Sequence, residues 1–385
     1  MADVDGDLRG GRAGRPAAAA PTTVTAEPTP ARPAPIESGA AYSRASGAQA
    51  AGLMPAVELF EHSAADVELP HPPQSIVIAD YGASPGHNSL LPIGVAIAAL
   101  RKRAEAGRAI FVVHTDVAEN DYMSLFRMLA DDPHSYLRDD PATFSAAIGR
   151  SFYQQILPSN SVTLGWSSWA VQWLSRVPGP VPDHVQVCYS RDTEARSAYA
   201  RLAAADWIAF LTARSRELVP GGHLVVLTMA LDDGDFGFRP LLEYIAAELD
   251  EMVREGVITG GESRRMTIPT VGRSEADLTL PFAPKNRFSG LTIEELEVFV
   301  AEDPYWTRYE KDRDAESFAA GWTVFGRASV FPTLATSLEG GRDDPRTGPF
   351  VDRLSAGVQA RLAAAPEPFR IPLAKLLVVK QSWPR

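Results

Sequence analysis

The chain has 385 residues, of which 45% are hydrophobic and 22% are charged, as in an ordinary globular protein. Its net charge of −11 argues against a broad nucleic-acid-binding surface, because such surfaces need clustered Lys and Arg. The lone cysteine, Cys188, excludes an intramolecular disulfide and a Cys-rich zinc site. The sequence has no apolar run of about 18 residues and no secretory signal, so we expect a cytoplasmic protein without a membrane span.

Residues 1–40 differ in composition from the rest of the chain. They are rich in Ala, Pro, Gly and Thr and offer little apolar surface to bury. Such a segment cannot offset the entropy that it would lose on ordering. We therefore predict a disordered tail, with globular sequence beginning at Tyr42.

Strand and helix patterns alternate in the first globular half. Apolar, β-branched runs predict strands over residues 75–80, 110–115, 161–165 and 223–228. Helical periodicity begins at Asn88 and again at Leu202, and the second helix is expected to break at Pro220-Gly-Gly222. This alternation predicts an α/β fold with a doubly wound sheet.

The second half has a mainly helical pattern. Helices are predicted over residues 241–257, 317–338 and 351–363, and strands over 298–300 and 373–380. Thr292-Ile-Glu-Glu295 has the pattern of a capping box and predicts a further helix start. The expected organisation is a core over residues 41–235, a mainly helical cap with one core strand over 236–345, and a C-terminal helix and closing strand over 346–385.

Small and acidic residues follow the first two predicted strands. Asp80, Gly82 and Gly86 come after the first, and Asp116 ends the second. Ligands of open α/β sheets bind beyond the carboxyl ends of the strands, where a carboxylate such as Asp116 is well placed to accept hydrogen bonds from a ribose diol. The D-x-G-x-x-x-G pattern is looser than the dinucleotide-binding G-x-G-x-x-G. It is compatible with a nucleoside site and equally with an ordinary strand–helix turn.

Three tryptophans, Trp166, Trp169 and Trp173, follow the third predicted strand. Trp169 and Trp173 share a face if the segment is helical, and stacked indoles suit a flat or apolar ligand. Trp166 and Trp169 are expected to form aromatic walls, although a core or interface cluster is the alternative. The seven histidines show no ligand spacing, and we predict no metal site.

Six short motifs follow one another along the chain. They are Tyr42-Ser-Arg-Ala-Ser46-Gly-Ala-Gln49, Ile78-Ala-Asp80-Tyr-Gly82-Ala-Ser-Pro-Gly86-His-Asn88, Asp116-Val-Ala-Glu-Asn120-Asp-Tyr122, Arg150-Ser-Phe-Tyr153, Ser167-Ser-Trp169-Ala-Val-Gln172-Trp173-Leu-Ser-Arg-Val-Pro178 and Pro220-Gly-Gly222. In this order they resemble the motifs of the SABATH family, the S-adenosylmethionine-dependent carboxyl methyltransferases that act on salicylic, benzoic and jasmonic acids. The resemblance covers about residues 42–380, and the Ala- and Arg-rich composition favours a bacterial member.

The resemblance implies a fold, a cofactor and a set of binding residues. The fold would be a class I methyltransferase Rossmann-like sheet with a helical cap over the active site, and the enzyme would be a homodimer. The residues expected to bind S-adenosylmethionine are Tyr42, Ser46, Asp80, Gly82, Asn88, Asp116, Val117, Ser151 and Phe152. Gln49 and Trp173 would hold the substrate carboxylate. The substrate pocket would be lined by Trp169, Gln172, Leu241 and Leu242.

These residues are expected to methylate a small carboxylic acid directly. A carboxylic acid with a pKa of about 4–5 is ionised at neutral pH, so the reaction needs alignment and no general base. Gln172 stands where plant relatives often have Met, which predicts a more polar pocket. N-methylation of a heterocycle and a catalytically silent cofactor-binding protein are the alternatives.

Overall fold

Strands and helices alternate from Met54 to Met229 in the computed structural model, which describes residues 52–138 and 140–382. This half contains α1 (Met54–Asp66), β1 (Ile76–Tyr81), α2 (Leu90–Arg101), β2 (Ile110–Asp116), α3 (Tyr122–Asp131), β3 (Thr143–Gly149), β4 (Val162–Ser168), α4 (Thr193–Glu217) and β5 (Leu218–Met229). The second half contains α5 (Arg239–Arg254), α6 (Gly260–Arg265), α7 (Glu275–Thr279), β6 (Leu291–Ala301), α8 (Pro304–Asp312), α9 (Ala315–Ser329), α10 (Phe331–Ala335), α11 (Thr347–Ala364) and β7 (Ile371–Lys380). Within the described part, no helix is both long and apolar enough to cross a membrane.

The strands of the described residues form one sheet in the order β3-β2-β1-β4-β5-β7-β6. The first five strands along the chain pair in parallel, whereas β7 pairs antiparallel with both β5 and β6. β1 is buried almost throughout because it lies between two parallel neighbours, which explains its continuous apolar sequence. The chain reverses its direction of winding at β1, and such a switch point is where open α/β sheets bind ligands.

Helices cover both faces of the sheet. On one face, Phe60 of α1 packs against the ring of Trp166, with 4.8 Å between the ring centroids. On the other face, Trp207 and Phe210 of α4 pack against Tyr81 and its neighbours. A helical layer is formed by α11, which packs against both α5 and α9. These three helices lie between β5 and β7 in the sequence. The expected α/β fold with a helical cap is therefore confirmed.

Three local expectations were wrong, and one strand, β3, was missed. Thr292–Glu295 begins no helix, because the segment pairs with β7 as part of the outer strand β6, where Glu295 lies 3.1 Å from Lys375. Helix α4 ends at Glu217, close to its expected end, but Pro220-Gly-Gly222 does not separate it from the next strand, because these residues lie inside β5, with a positive φ at Gly221. β3 escaped detection because it is an edge strand of small residues with little burial. Trp166 forms no pocket wall, since its side chain is fully buried in the core.

Candidate active site

A cavity of about 430 Å³ opens at the carboxyl ends of the parallel strands. We call it the strand-end cavity, and the loops after β1, β2, β3 and β4 all contribute to its wall. The expected residues that line it are Gly82, Asp116, Val117, Ser151, Phe152, Trp169 and Trp173. Residues from four separate motifs thus meet in one place.

Gly82 brings two of these loops into contact. Its φ of +88° is a conformation that favours glycine, and its N–H donates to the Thr115 carbonyl at 2.8 Å. A Cβ at this position would lie 2.3 Å from the Cβ of Ala170. The loop after β1 can therefore pass the loop after β4 only because residue 82 has no side chain.

Asp116 presents a constrained carboxylate to the cavity. Its Oδ2 accepts the Ser84 N–H at 2.8 Å, and its Oδ1 accepts the Val117 N–H at 2.7 Å. Burial raises the pKa of Asp116 to about 6, while the two N–H donors oppose that rise. Each oxygen retains a second lone pair, so the carboxylate can accept a pair of ligand hydroxyls.

Ser151 and Phe152 lie on the loop after β3, which is held by a buried ion pair on α4. Arg214 donates to the carbonyl oxygens of Phe152 and Gln154 at 2.9 and 3.0 Å, and also to Glu217 at 3.0 Å. Both charged side chains are completely buried. Since this pair fixes the main chain, Ser151 and Phe152 reach the cavity wall on a rigid loop.

Trp169 and Trp173 lie on the turn after β4. Trp169 has a φ of +52°, and its carbonyl oxygen accepts the Gln172 side-chain amide at 2.6 Å. The Gln172 side-chain oxygen in turn accepts the Thr228 hydroxyl at 3.3 Å. Gln172 therefore uses its amide to shape the turn, and its polar atoms are bound within the protein.

A second, smaller cavity of about 60 Å³ adjoins the same turn. We call it the apolar pocket, and Trp169 and Trp173 line both this pocket and the strand-end cavity. The expected Gln172, Leu241 and Leu242 lie in its wall. Residues that the sequence reasoning missed complete it, and these include Met229, Phe236, Phe238, Ile268, Phe325 and Val330. Its walls come from β5, α5 and α9, so the cap closes over the site.

Asp80 and Asn88 are not among the residues that line the strand-end cavity. Asp80 is buried at the end of β1, where its Oδ2 lies 2.8 Å from Nδ1 of His114. The other ring nitrogen of His114 lies 2.7 Å from the Tyr136 hydroxyl. Asn88 lies in the short 3₁₀ turn His87–Ser89. Contact of Asp80 and Asn88 with a ligand stays a prediction.

Tyr42, Ser46 and Gln49 lie outside the described residues. The described chain begins at Gly52, where an added Cβ would lie 3.5 Å from Cζ2 of Trp169. Contacts of Tyr42, Ser46 and Gln49 with a ligand therefore stay predictions.

The side chains around the two cavities favour alignment over acid–base chemistry. Within the described part of the chain, no His, Cys or Lys lines either cavity. No group of three or more described His, Cys, Asp and Glu residues could hold a metal ion. The strand-end cavity also has Asp116, Glu119, Asp206 and Arg342 in its wall. The site thus offers indole rings, charged groups and an apolar recess, and these can bind and orient two partners side by side.

Tyr153 is the functional candidate that sequence reasoning passed over. It belongs to the Arg150–Tyr153 motif, and its side chain reaches from the loop after β3 to the turn after β4. Its position in the motif was the available signal, yet the contact joins residues 20 positions apart. Such contacts follow from the fold and are not visible in local sequence.

Comparisons with known proteins agree with this geometry. A family model described as SAM-dependent carboxyl methyltransferase matches residues 37–341. The chain is 29% identical over 221 residues to S-adenosyl-L-methionine:benzoic acid/salicylic acid carboxyl methyltransferase 3 of Petunia hybrida, covering 54% of this chain and 62% of that protein. It is 26% identical over 269 residues to indole-3-acetate O-methyltransferase 1 of Arabidopsis thaliana, covering 61% and 68%. The match therefore spans less than two thirds of the petunia protein's length.

A solved structure has the same fold. It is a loganic acid methyltransferase with SAH, and it superimposes with a TM-score of 0.71 at 22% sequence identity. The match covers 91% of this chain and 99% of that chain. The likeness extends across the sheet and the helical cap together.

Proposed function

The chain belongs to the family of S-adenosylmethionine-dependent carboxyl methyltransferases, and we propose that it esterifies a small apolar carboxylic acid by direct methyl transfer. One observation carries the proposal beyond family membership. Trp169 and Trp173 line both the strand-end cavity and the apolar pocket. A ligand in each would meet at this turn, which is the arrangement that transfer between two bound molecules requires.

The strand-end cavity suits S-adenosylmethionine in size and lining. Asp116 would accept the ribose hydroxyls, and Ser151 would hydrogen-bond the adenine between Val117 and Phe152. The polar residues Tyr42, Ser46, Asp80 and Asn88 would hold the remainder of the cofactor, with Gly82 allowing close approach. When bound, the cofactor supplies an electrophilic methyl group on a sulfonium centre.

Gln49 and Trp173 would orient the acid. Two N–H donors can fix one carboxylate oxygen, so that the other lies in line with the methyl group. The acid is already ionised at neutral pH, so the reaction needs no general base. This agrees with the lining of the two cavities, which contains no His or Lys among the residues that the structure describes. Alignment of this kind is worth up to about 7–11 kcal/mol of the barrier in favourable cases.

The apolar pocket supports a compact substrate. Phe236, Phe238, Phe325 and Met229 surround a small space, and the polar atoms of Gln172 are bound internally. A benzoate-sized or short apolar acid suits these walls better than a highly charged one. The petunia relative is named for benzoic and salicylic acids and the Arabidopsis relative for indole-3-acetate, which are acids of this kind.

Variants at the carboxylate side test the assignment. Trp173→Phe and Gln49→Ala are expected to lower kcat/KM for the acid at least about tenfold, since each removes a donor to a charged group. Both should bind S-adenosylhomocysteine in calorimetry as tightly as the unmodified enzyme. A variant with unchanged kcat/KM would show that its residue does not hold the carboxylate.

We also infer a cytoplasmic, homodimeric protein that takes no metal ion and no nucleic acid. The location is suggested by composition and the dimer by resemblance to the SABATH family. Light scattering on the purified full chain would test the dimer directly, and a monomer mass would contradict it.

A further inference from the structure

We propose that Tyr153 is a positioning residue that holds the Trp173 main chain, and through it the indole, in place for the acid. The inference rests on the proposed function, in which Trp173 binds the substrate carboxylate. It assigns a role to a side chain that supports the site without holding the acid itself.

The Tyr153 hydroxyl links two of the loops that line the strand-end cavity. It lies 2.5 Å from the carbonyl oxygen of Trp173 and 3.3 Å from that of Val171. Tyr153 directly follows Ser151 and Phe152 on the loop after β3. A single hydroxyl therefore joins the cofactor-side loop to the substrate-side turn.

The acceptors give this hydrogen bond its direction. Because a carbonyl oxygen can only accept, the Tyr153 hydroxyl donates its proton, and the Trp173 carbonyl at 2.5 Å is the nearer acceptor. The Val171 carbonyl is also bound by Arg273, whose guanidinium donates to it at 2.6 Å and to the Ala203 carbonyl at 3.1 Å; Arg273 is 2% exposed. Tyr153 is therefore the donor that Trp173 has from the cofactor-side loop.

The hydroxyl keeps its proton under working conditions. Burial raises the pKa of Tyr153 above its ordinary value. Arg273 opposes this rise without cancelling it, and buried Asp206 adds to it. Tyr153 is thus a neutral donor, and its contact with Trp173 is insensitive to pH near neutrality.

Other hydrogen bonds hold the turn around Trp173, including that of its own N–H to the Ala170 carbonyl at 3.0 Å, but its carbonyl oxygen accepts from Tyr153. The Leu174 N–H donates to the Pro269 carbonyl at 2.9 Å, and the Gln172 carbonyl accepts the Val271 N–H at 2.9 Å. These bonds keep the turn folded when the tyrosine hydroxyl is removed. Loss of the hydroxyl should therefore let residue 173 shift without unfolding the turn.

The cofactor side has its own support. Arg214 holds the carbonyl oxygens of Phe152 and Gln154, so the loop after β3 stays in place when the Tyr153 hydroxyl is absent. Removing the hydroxyl should then affect the acid and spare the cofactor. A merely structural role would affect both through general destabilisation.

Tyr153→Phe tests the inference, with Tyr199→Phe as the matched control. Tyr199 is a buried tyrosine on α4 whose hydroxyl donates to the Gly179 carbonyl at 3.0 Å, and it lines neither cavity of the site. Kinetics would use S-adenosylmethionine with the fastest acid among benzoate, salicylate and indole-3-acetate. Affinity for S-adenosylhomocysteine would be measured by calorimetry, and Tm by calorimetric melting.

The expected result is a selective loss. Tyr153→Phe should lower kcat/KM for the acid by about tenfold to a hundredfold, because a small misplacement of a positioning group has effects of this size. The affinity for S-adenosylhomocysteine should stay within about twofold, since Arg214 still holds the loop after β3 and the aromatic ring at residue 153 is kept in the cavity wall. Tyr199→Phe should keep both parameters. In a Trp173→Phe background, Tyr153→Phe should add almost nothing.

Two results would overturn the inference on different grounds. Suppose first that the unmodified enzyme forms methyl ester. If Tyr153→Phe then keeps the kcat/KM of the unmodified enzyme, Tyr153 does not act through Trp173. The same conclusion follows if Tyr153→Phe lowers kcat/KM by the same factor in the Trp173→Phe background as in the unmodified enzyme. If the unmodified enzyme binds S-adenosylhomocysteine but forms no ester from any acid, the proposed function fails and this inference fails with it.

Discussion

Acidification should weaken cofactor binding through one carboxyl group, that of Asp116. Burial raises the pKa of Asp116 to about 6 in the protein without ligand. Ribose hydroxyls that donate to this group favour its ionised form and lower its pKa in the complex. If Asp116 accepts the ribose hydroxyls as proposed, binding should release a proton just below pH 6, and affinity should fall as the pH is lowered through this range.

The size of the effect follows from the same pKa. At pH 7.5 the carboxyl is almost fully ionised, whereas at pH 5.0 only about one molecule in eleven carries the charge. If only the ionised form accepts the diol well, the dissociation constant for S-adenosylhomocysteine should rise about tenfold between these two pH values. Calorimetry at pH 7.5, 6.0 and 5.0 would measure it.

Two variants distinguish the contribution of Asp116 to this pH dependence from that of a neighbouring carboxyl group. Asp116→Asn should bind more weakly at pH 7.5, by about tenfold or more, because it replaces charged hydrogen bonds, and its affinity should not change with pH. Asp206 also lines the cavity, and burial raises its pKa too. Asp206→Asn should retain the pH dependence of the unmodified enzyme. The assignment would be refuted if the affinity of the unmodified enzyme for S-adenosylhomocysteine did not change with pH. It would also be refuted if the affinity of Asp116→Asn fell as the pH is lowered.

Three further substitutions have distinct expected effects. Gly82→Ala should lower Tm and cofactor affinity, because φ is +88° and the new Cβ would lie 2.3 Å from Ala170; melting curves without and with S-adenosylhomocysteine would detect both. Arg214→Ala should lower the free energy of unfolding by about 3–5 kcal/mol, the usual cost of breaking a buried ion pair. The exposed pair of Arg254 is the control, since Arg254→Ala should cost under about 1 kcal/mol in the same urea titrations. Phe325→Ala should enlarge the apolar pocket and so raise kcat/KM for naphthoate relative to kcat/KM for benzoate. An unchanged ratio of the two values would show that this ring does not limit substrate size.

The buried parallel strands were readable from the sequence because their side chains are apolar on both faces. β1, β2 and β5 were each recognised as apolar runs, and the loops behind them led to Gly82 and Asp116. The outer strands were harder to recognise. β3 and the first half of β6 owe their conformation to pairing with a neighbour, and Glu295 lies beside Lys375 across such a pair.

Residues that line the cavities were predictable where a motif carries them, and they were hidden where only the fold brings them together. Trp169 and Trp173 were singled out by their spacing, and both lie at the junction of the two cavities. Arg273 and Phe325 are remote in sequence from every motif, and no local pattern marks either as a residue of the site. Gln172 shows a further difficulty, because sequence gives a side chain's polarity but not the partners that bind its polar atoms.

The most direct measurement of carboxyl methylation is transfer of labelled methyl from S-adenosylmethionine to benzoate, salicylate, indole-3-acetate and a short fatty acid, beside their amides and matching N-heterocycles. We expect label in a product that releases methanol on mild alkaline hydrolysis, formed from an acid and not from its amide. Label confined to alkali-stable products from the heterocycles would contradict carboxyl methylation and indicate N-methylation. Intact S-adenosylhomocysteine binding with no labelled product from any compound would contradict the proposed activity on small acids.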